Sequence, residues 1–159
     1  MTGNHRIVHM KTQNFMHCAY VQAQAAARQG EVPVGAIIVD QAGTIVAATH
    51  NETIQRRDPT AHAEILAIQQ ACAQLKTSYL EGCHLYVTLE PCPMCAQAIA
   101  FARLQTLYYG AFDPKGGGVD HGPYIFQQTS CHHSIQVFGG IMEEECGKLL
   151  THFFQQKRR

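Results

Sequence analysis

The chain has 159 residues, 46% of them hydrophobic, and a formal net charge of zero with histidine neutral. That length suits one domain with a substantial core, and no linker, repeat or low-complexity run divides it. The even balance removes bulk charge as an argument for a nucleic-acid partner. Arg56-Arg57 and Lys157-Arg158-Arg159 read as solvated surface. No stretch is long and apolar enough to cross a bilayer. Residues 1–12 lack the apolar run of a signal peptide and read as a flexible N-terminal extension, which makes the expected location cytoplasmic.

Phe15, Ala19, Ala23 and Ala26-Ala27 recur at helical spacing over residues 14–28, and Gly30 supplies the stop. Glu31-Val32-Pro33-Val34-Gly35 turns into the β-branched run Ala36-Ile37-Ile38-Val39, a buried strand. Residues 44–49 return as its hairpin partner. A polar loop runs to Pro59. Thr60 is the predicted N-cap of a helix with Ile65, Ile68, Cys72 and Leu75 on one stripe. Residues 85–89 form a strand ended by Glu90-Pro91. Pro93 opens the next helix, where proline is tolerated. Leu107-Tyr108-Tyr109 is a strand closed by Gly110, residues 113–122 are irregular, and residues 135–138 make a last strand. Met142, Cys146, Leu149-Leu150 and Phe153-Phe154 stripe a C-terminal helix. Strands alternating with helices predict an α/β fold: a helix-covered sheet with a parallel part and one antiparallel hairpin.

Seven cysteines, an odd number, do not suggest a disulfide scaffold. Cys18, Cys72 and Cys146 fall in apolar helical patterns and read as small buried hydrophobes. His62 and the pair Cys92/Cys95 each sit at a predicted helix start, where the positive end of the helix favours thiolate. One imidazole and two thiolates are a soft tetrahedral set that suits zinc, with the fourth position open to water. Zinc lowers the pKa of such a water to about 7, and Glu64, two residues after His62, is placed to shuttle its proton. The set encodes hydrolytic attack on an electrophilic carbon and loss of a protonated leaving group. Cys131-His132-His133, with His121, lacks a metal spacing and reads as a loop of hydrogen-bonding histidines. Gly116-Gly117-Gly118 matches no phosphate fingerprint.

Pro-Thr-Ala-His-Ala-Glu at 59–64 and Thr-Leu-Glu-Pro-Cys-Pro-Met-Cys-Ala at 88–96 resemble the zinc-dependent nucleobase deaminases, with their signature H-x-E…P-C-x-x-C. Glu31-Val-Pro-Val-Gly35, His50-Asn51, Asp58-Pro59, Gly110-Ala-Phe-Asp113, Gly139-Gly140-Ile141 and Phe153-Phe154 narrow the likeness to the bacterial tRNA adenosine deaminases. The resemblance implies a three-layer helix–sheet–helix fold of cytidine-deaminase type with a five-stranded mixed sheet. It implies a homodimer acting on the tRNA anticodon stem-loop, converting the wobble adenosine to inosine. By position, His62, Cys92 and Cys95 would hold one zinc per subunit and Glu64 would carry the proton. Asn51 would hydrogen-bond the flipped nucleoside, the backbone near Ala63 and Pro91 would touch the base edge, and Asp113 would meet a neighbouring nucleotide. The chain departs from the family at Glu52, at residues 116–122 and at His132-His133-Ser134, where RNA would be gripped. Two other readings stand beside this one. One is a deaminase of a free nucleobase or nucleoside, such as guanine, cytosine or adenosine. The other is a zinc-stabilised binding subunit, against which Glu64 argues.

Overall fold

The computed structural model describes residues 2–158, with side chains from residue 10 onward. Met1, the first residue of the expected extension, and Arg159 of the C-terminal basic cluster lie outside the described residues. In chain order the elements are α1 (Thr2–Arg28), β1 (Gly35–Val39), β2 (Ile45–His50), α2 (Ala63–Leu75), β3 (His84–Leu89), α3 (Pro93–Phe101), β4 (Thr106–Ala111), β5 (Gln136–Phe138) and α4 (Glu143–Lys157). A 3₁₀ turn at Ile125–Gln127 precedes β5. The first helix therefore begins about three turns earlier than the apolar stripe predicts. Its early residues carry no apolar periodicity that the sequence could signal.

The five strands form one sheet in the order β2-β1-β3-β4-β5. β1 is antiparallel to both β2 and β3, while β3, β4 and β5 run parallel. The expected mixed sheet with one hairpin is present. Every residue of β1 is buried, as a strand covered on both faces must be. Alternation then sorts the core into two layers. Ala36, Ile38, Leu85, Val87, Leu107 and Tyr109 face Ala63, Ala67, Ala71, Ala96 and Ile99 of α2 and α3. Ile37, Val39 and Tyr86 face Met16 and Ala19 of α1, with Tyr108 and Met142 packed alongside. α4 lies with α1 and packs against β4. Each fully buried Ile or Leu side chain in these layers stabilises the fold by roughly 1.5–3 kcal/mol.

Two contacts set how close the layers come. A Cβ at Gly35 would lie 2.5 Å from the Ala23 nitrogen, so α1 can touch the start of β1 only over glycine. On the same face the strand register aligns Tyr86, Tyr108 and Phe138. Their rings stack at 4.5 and 5.3 Å, and Phe15 of α1 closes the row 5.3 Å from Tyr86.

The register also defines one functional end. Leu89 pairs with Ala111, Ala36 with Val87, and Gly35 with His50. The carboxyl ends of β2, β3 and β4 and the start of β1 thus share one edge, and the loops after them carry the candidate residues.

At the opposite end His84 opens β3 with its Nδ1 buried and no hydrogen-bond partner for it among the described residues. Burial pulls its pKa below the ordinary 6.5. The unfolded chain then binds a proton that the folded chain refuses, so stability falls as pH drops below 6.5 through the folded value. His84→Val should match the parent to within about 1 kcal/mol at pH 8 and lose less stability between pH 7 and 5. Urea midpoints at each pH read this directly, and parallel pH curves would refute it.

Candidate metal centre and active site

His62 and Cys92 are the N-cap residues of α2 and α3, in extended conformations with φ, ψ of −73°, 151° and −68°, 169°. Neither side chain caps its helix. Both are turned away from the helix amides and toward each other, which frees the ring and the thiol for another partner. Thr60, the predicted N-cap, is not used there. Its N–H and hydroxyl both donate to Asp58 Oδ1 at 2.8 and 2.7 Å, closing an Asx turn that delivers His62.

His62 Nδ1 lies 3.6 Å from Cys92 Sγ and 3.5 Å from Cys95 Sγ. All three donor atoms lie within 4.8 Å of one another, the only such cluster among the described residues. Tetrahedral zinc, with bonds of about 2.3 Å to sulfur and about 2.0 Å to nitrogen, separates S from N by about 3.5 Å. The donor set therefore fits zinc in both chemistry and spacing. The Cys95 thiol, and then His62, hold the Cys92 thiol well below its usual range. The same hydrogen bond and burial push Cys95 up.

Glu64 is 4% exposed in the first turn of α2, with Oε2 3.4 Å from Cys95 Sγ. Burial raises its carboxyl above the usual carboxylate range. A carboxyl so placed stands within reach of the three donor atoms and can exchange a proton with a group held there.

Residues 10–158 match the MafB19-like deaminase family. Over 145 residues the chain is 49% identical to the tRNA-specific adenosine deaminase of Agrobacterium fabrum, covering 91% of this chain and 95% of that relative. This chain belongs to the tRNA-specific adenosine deaminase family. A solved structure from work on A-to-I editing by tRNA:A34 deaminases at the wobble position shares its fold with a TM-score of 0.84. It is 49% identical, over 86% of this chain and 99% of that one. A guanine deaminase from Bacillus subtilis is 31% identical with a TM-score of 0.62, over 91% and 92% of the two chains.

The deaminase brings Asn51, Ala63 and Pro91 to the same end. Asn51 is buried after β2, and its Oδ1 accepts the Ala63 N–H at 2.8 Å. Thr49 donates its hydroxyl to the Ala63 carbonyl at 2.7 Å. The Pro91 carbonyl accepts the Gly118 N–H at 2.8 Å. Asp113 follows β4, and its Oδ1 accepts the N–H groups of Lys115 at 3.3 Å and Gly116 at 2.9 Å. Its side chain thus shapes the start of the loop that departs from the family pattern.

The other departures also have local partners. Glu52 pairs with Arg56 one turn along. In the histidine loop, His133 Nε2 bonds the Leu104 carbonyl at 2.7 Å and Cys131 donates to the His133 carbonyl at 3.4 Å. His133 and Cys131 thus engage the backbone, while His121 bonds Glu90. Of the three cysteines expected in the core, Cys146 is buried while Cys18 and Cys72 are only half-buried.

Sequence reading missed two buried carboxylates. Glu31 accepts the N–H groups of Ile54 at 2.9 Å and Gln55 at 3.1 Å, holding the loop between Asn51 and His62. Glu90 does the same for the loop after β4. The one available signal was a glutamate set in an apolar, proline-flanked stretch.

Proposed function

We infer that this chain hydrolyses adenosine to inosine at the wobble position of tRNA anticodons. The observation that carries the reading is the His62–Cys92–Cys95 cluster with Glu64 buried beside it, in a chain 49% identical to a tRNA-specific adenosine deaminase. His62 Nδ1 and the two thiolates would hold one zinc per chain. That metal supplies the Lewis acidity that makes a water nucleophilic near neutral pH.

Glu64 takes the proton of the attacking water and delivers it to the departing amino group. A C–O bond forms at the purine C6, the exocyclic C–N bond breaks, and ammonia leaves. The raised pKa of Glu64 suits both halves of that transfer. Asn51 holds the N-cap turn of α2 through Ala63, which leaves its amide NH2 to meet the nucleoside. The Pro91 carbonyl keeps a second lone pair for the base edge. Asp113 heads the loop that would lie against a neighbouring nucleotide. An adenosine in an anticodon loop is already partly unstacked, which lowers the cost of extruding it.

The reading places the protein in the cytoplasm as a homodimer whose partner completes the tRNA grip. Phe101, 71% exposed at the end of α3, with exposed Met94 and Tyr79, is apolar surface that a second copy would cover. Sedimentation should give a dimer at micromolar concentration, and monomer alone would remove that element.

The substrate test offers the zinc-loaded protein an anticodon stem-loop with a wobble adenosine, beside free guanine, cytosine and adenosine. Inosine should form in the stem-loop, with negligible turnover of the free compounds. Turnover of guanine alone would move the chain to the chemistry of its 31% identical guanine deaminase relative.

A further inference from the structure

Glu90 ends β3's extension two residues before Cys92, with its side chain fully buried. A strand end beside a proline gives no reason to bury a carboxylate, and burial is costly unless every lone pair finds a donor. The donors all come from one loop, residues 113–121. Glu90 Oε1 takes the Asp113 N–H at 3.2 Å and His121 Nδ1 at 2.7 Å. Oε2 takes the N–H groups of Val119 at 3.4 Å and Asp120 at 3.2 Å.

The same loop presses on the turn that carries Cys92. The Gly118 N–H bonds the Pro91 carbonyl. A Cβ at Gly117 would lie 2.5 Å from Glu90 Cδ and 2.6 Å from the Asp113 carbonyl oxygen. A Cβ at Gly118 would lie 2.6 Å from Pro93 Cα. The glycine run that matched no phosphate fingerprint is thus explained by contact: only glycine lets this loop close on Glu90 and the head of α3.

We infer that Glu90 is a positioning residue: it fastens the 113–121 loop to the Pro91-Cys92 turn and so fixes Asp113 relative to the His62–Cys92–Cys95 cluster. None of its hydrogen bonds reaches the His62, Cys92 or Cys95 side chains, so the donor atoms should keep their places when it is changed. The loop depends on it. That this loop grips the substrate rests on the function proposed above; its attachment to Glu90 does not.

Glu90→Gln tests this with little change of shape. A glutamine keeps one acceptor oxygen and turns the other into an NH2 that faces backbone N–H groups, donor against donor. Gly117→Ala approaches the same joint from the loop side, and remains informative if Glu90→Gln folds poorly. Three readouts are taken on the zinc-loaded full chain: zinc per chain, amide hydrogen exchange, and kcat and KM on the stem-loop.

Glu90→Gln should keep wild-type zinc. It should speed exchange at Asp113, Val119 and Asp120 by about tenfold or more, with β4 amides unchanged. KM should rise about tenfold or more while kcat holds within about threefold. Gly117→Ala should move each value the same way, and the double variant should be no worse than the worse single, since both break one joint. Unchanged loop exchange, loss of zinc in step with loop protection, a KM within about twofold of wild type, or additive effects in the double variant would each overturn the proposal. If the wild-type chain leaves the stem-loop untouched, the substrate reading fails, while exchange still decides the positioning role.

Discussion

Glu64→Gln should lower kcat on the stem-loop by about 10²–10⁴-fold while zinc content and thermal midpoint stay at wild-type values. The substitution keeps the shape of a buried side chain but removes the carboxyl that lies against Cys95 of the cluster. An amide can neither take the water's proton nor return it to the leaving amino group. KM should change little, because the residue serves proton transfer rather than substrate grip. A glutamine variant with more than about a tenth of wild-type kcat would remove the shuttle role. Burial favours the uncharged form of this carboxyl, which an amide imitates, so the fold should tolerate the change.

The second large effect is expected at the metal donors. Cys92→Ser replaces a thiolate with a hydroxyl that does not ionise near neutral pH and binds zinc weakly. Zinc should fall from about one per chain to below about one-tenth, and activity by at least about three orders of magnitude, since losing the Lewis acid forfeits several kcal/mol of barrier lowering. Cys92 is only half-buried, so the fold should survive and metal loss can be measured on a folded chain. The thermal midpoint should also lose the increment that a ligand binding only the native state provides, and chelator should then have no further effect on it. Full zinc retention by Cys92→Ser would contradict the assignment. Cys95, completely buried in α3, is the poorer test, since its replacement disturbs packing as well.

The convergence of His62, Cys92 and Cys95 was legible in the sequence for a physical reason. His62, Cys92 and Cys95 each lie in the first turn or at the cap of a helix that follows an extended segment. Such positions are marked locally, by a proline at the helix start and by the switch from period two to period 3.6. Glu64 follows from its spacing to His62. The mixed sheet was legible as well, because a short β-branched run with a turn-linked partner announces a hairpin. Its strand order was not: β1 lies between its hairpin partner and β3, a pairing fixed by tertiary contacts alone.

What stayed hidden depends on partners distant in the chain. Thr60 has the right residue type for an N-cap, yet Asp58 claims its N–H and hydroxyl, and the cap passes to His62. Glu31 and Glu90 are buried carboxylates whose donors are backbone N–H groups 23 to 30 residues away, and no local pattern reports such a contact. The Gly116-Gly117-Gly118 run looked like a departure from the family's pattern. In the fold, Gly117 and Gly118 meet a packing demand of Glu90 and Pro93. The loops proposed to meet the substrate are therefore the least legible parts in sequence, because loops take their shape from what they land on.

The proposed zinc site serves one adenosine in a folded tRNA. The most direct measurement incubates the zinc-loaded protein with a full-length tRNA bearing adenosine at the wobble position, and maps inosine by nuclease digestion and mass spectrometry. Inosine should appear at that single position, nowhere else in the tRNA, and not at all with Glu64→Gln. A wobble adenosine left intact by protein that carries about one zinc per chain would contradict it.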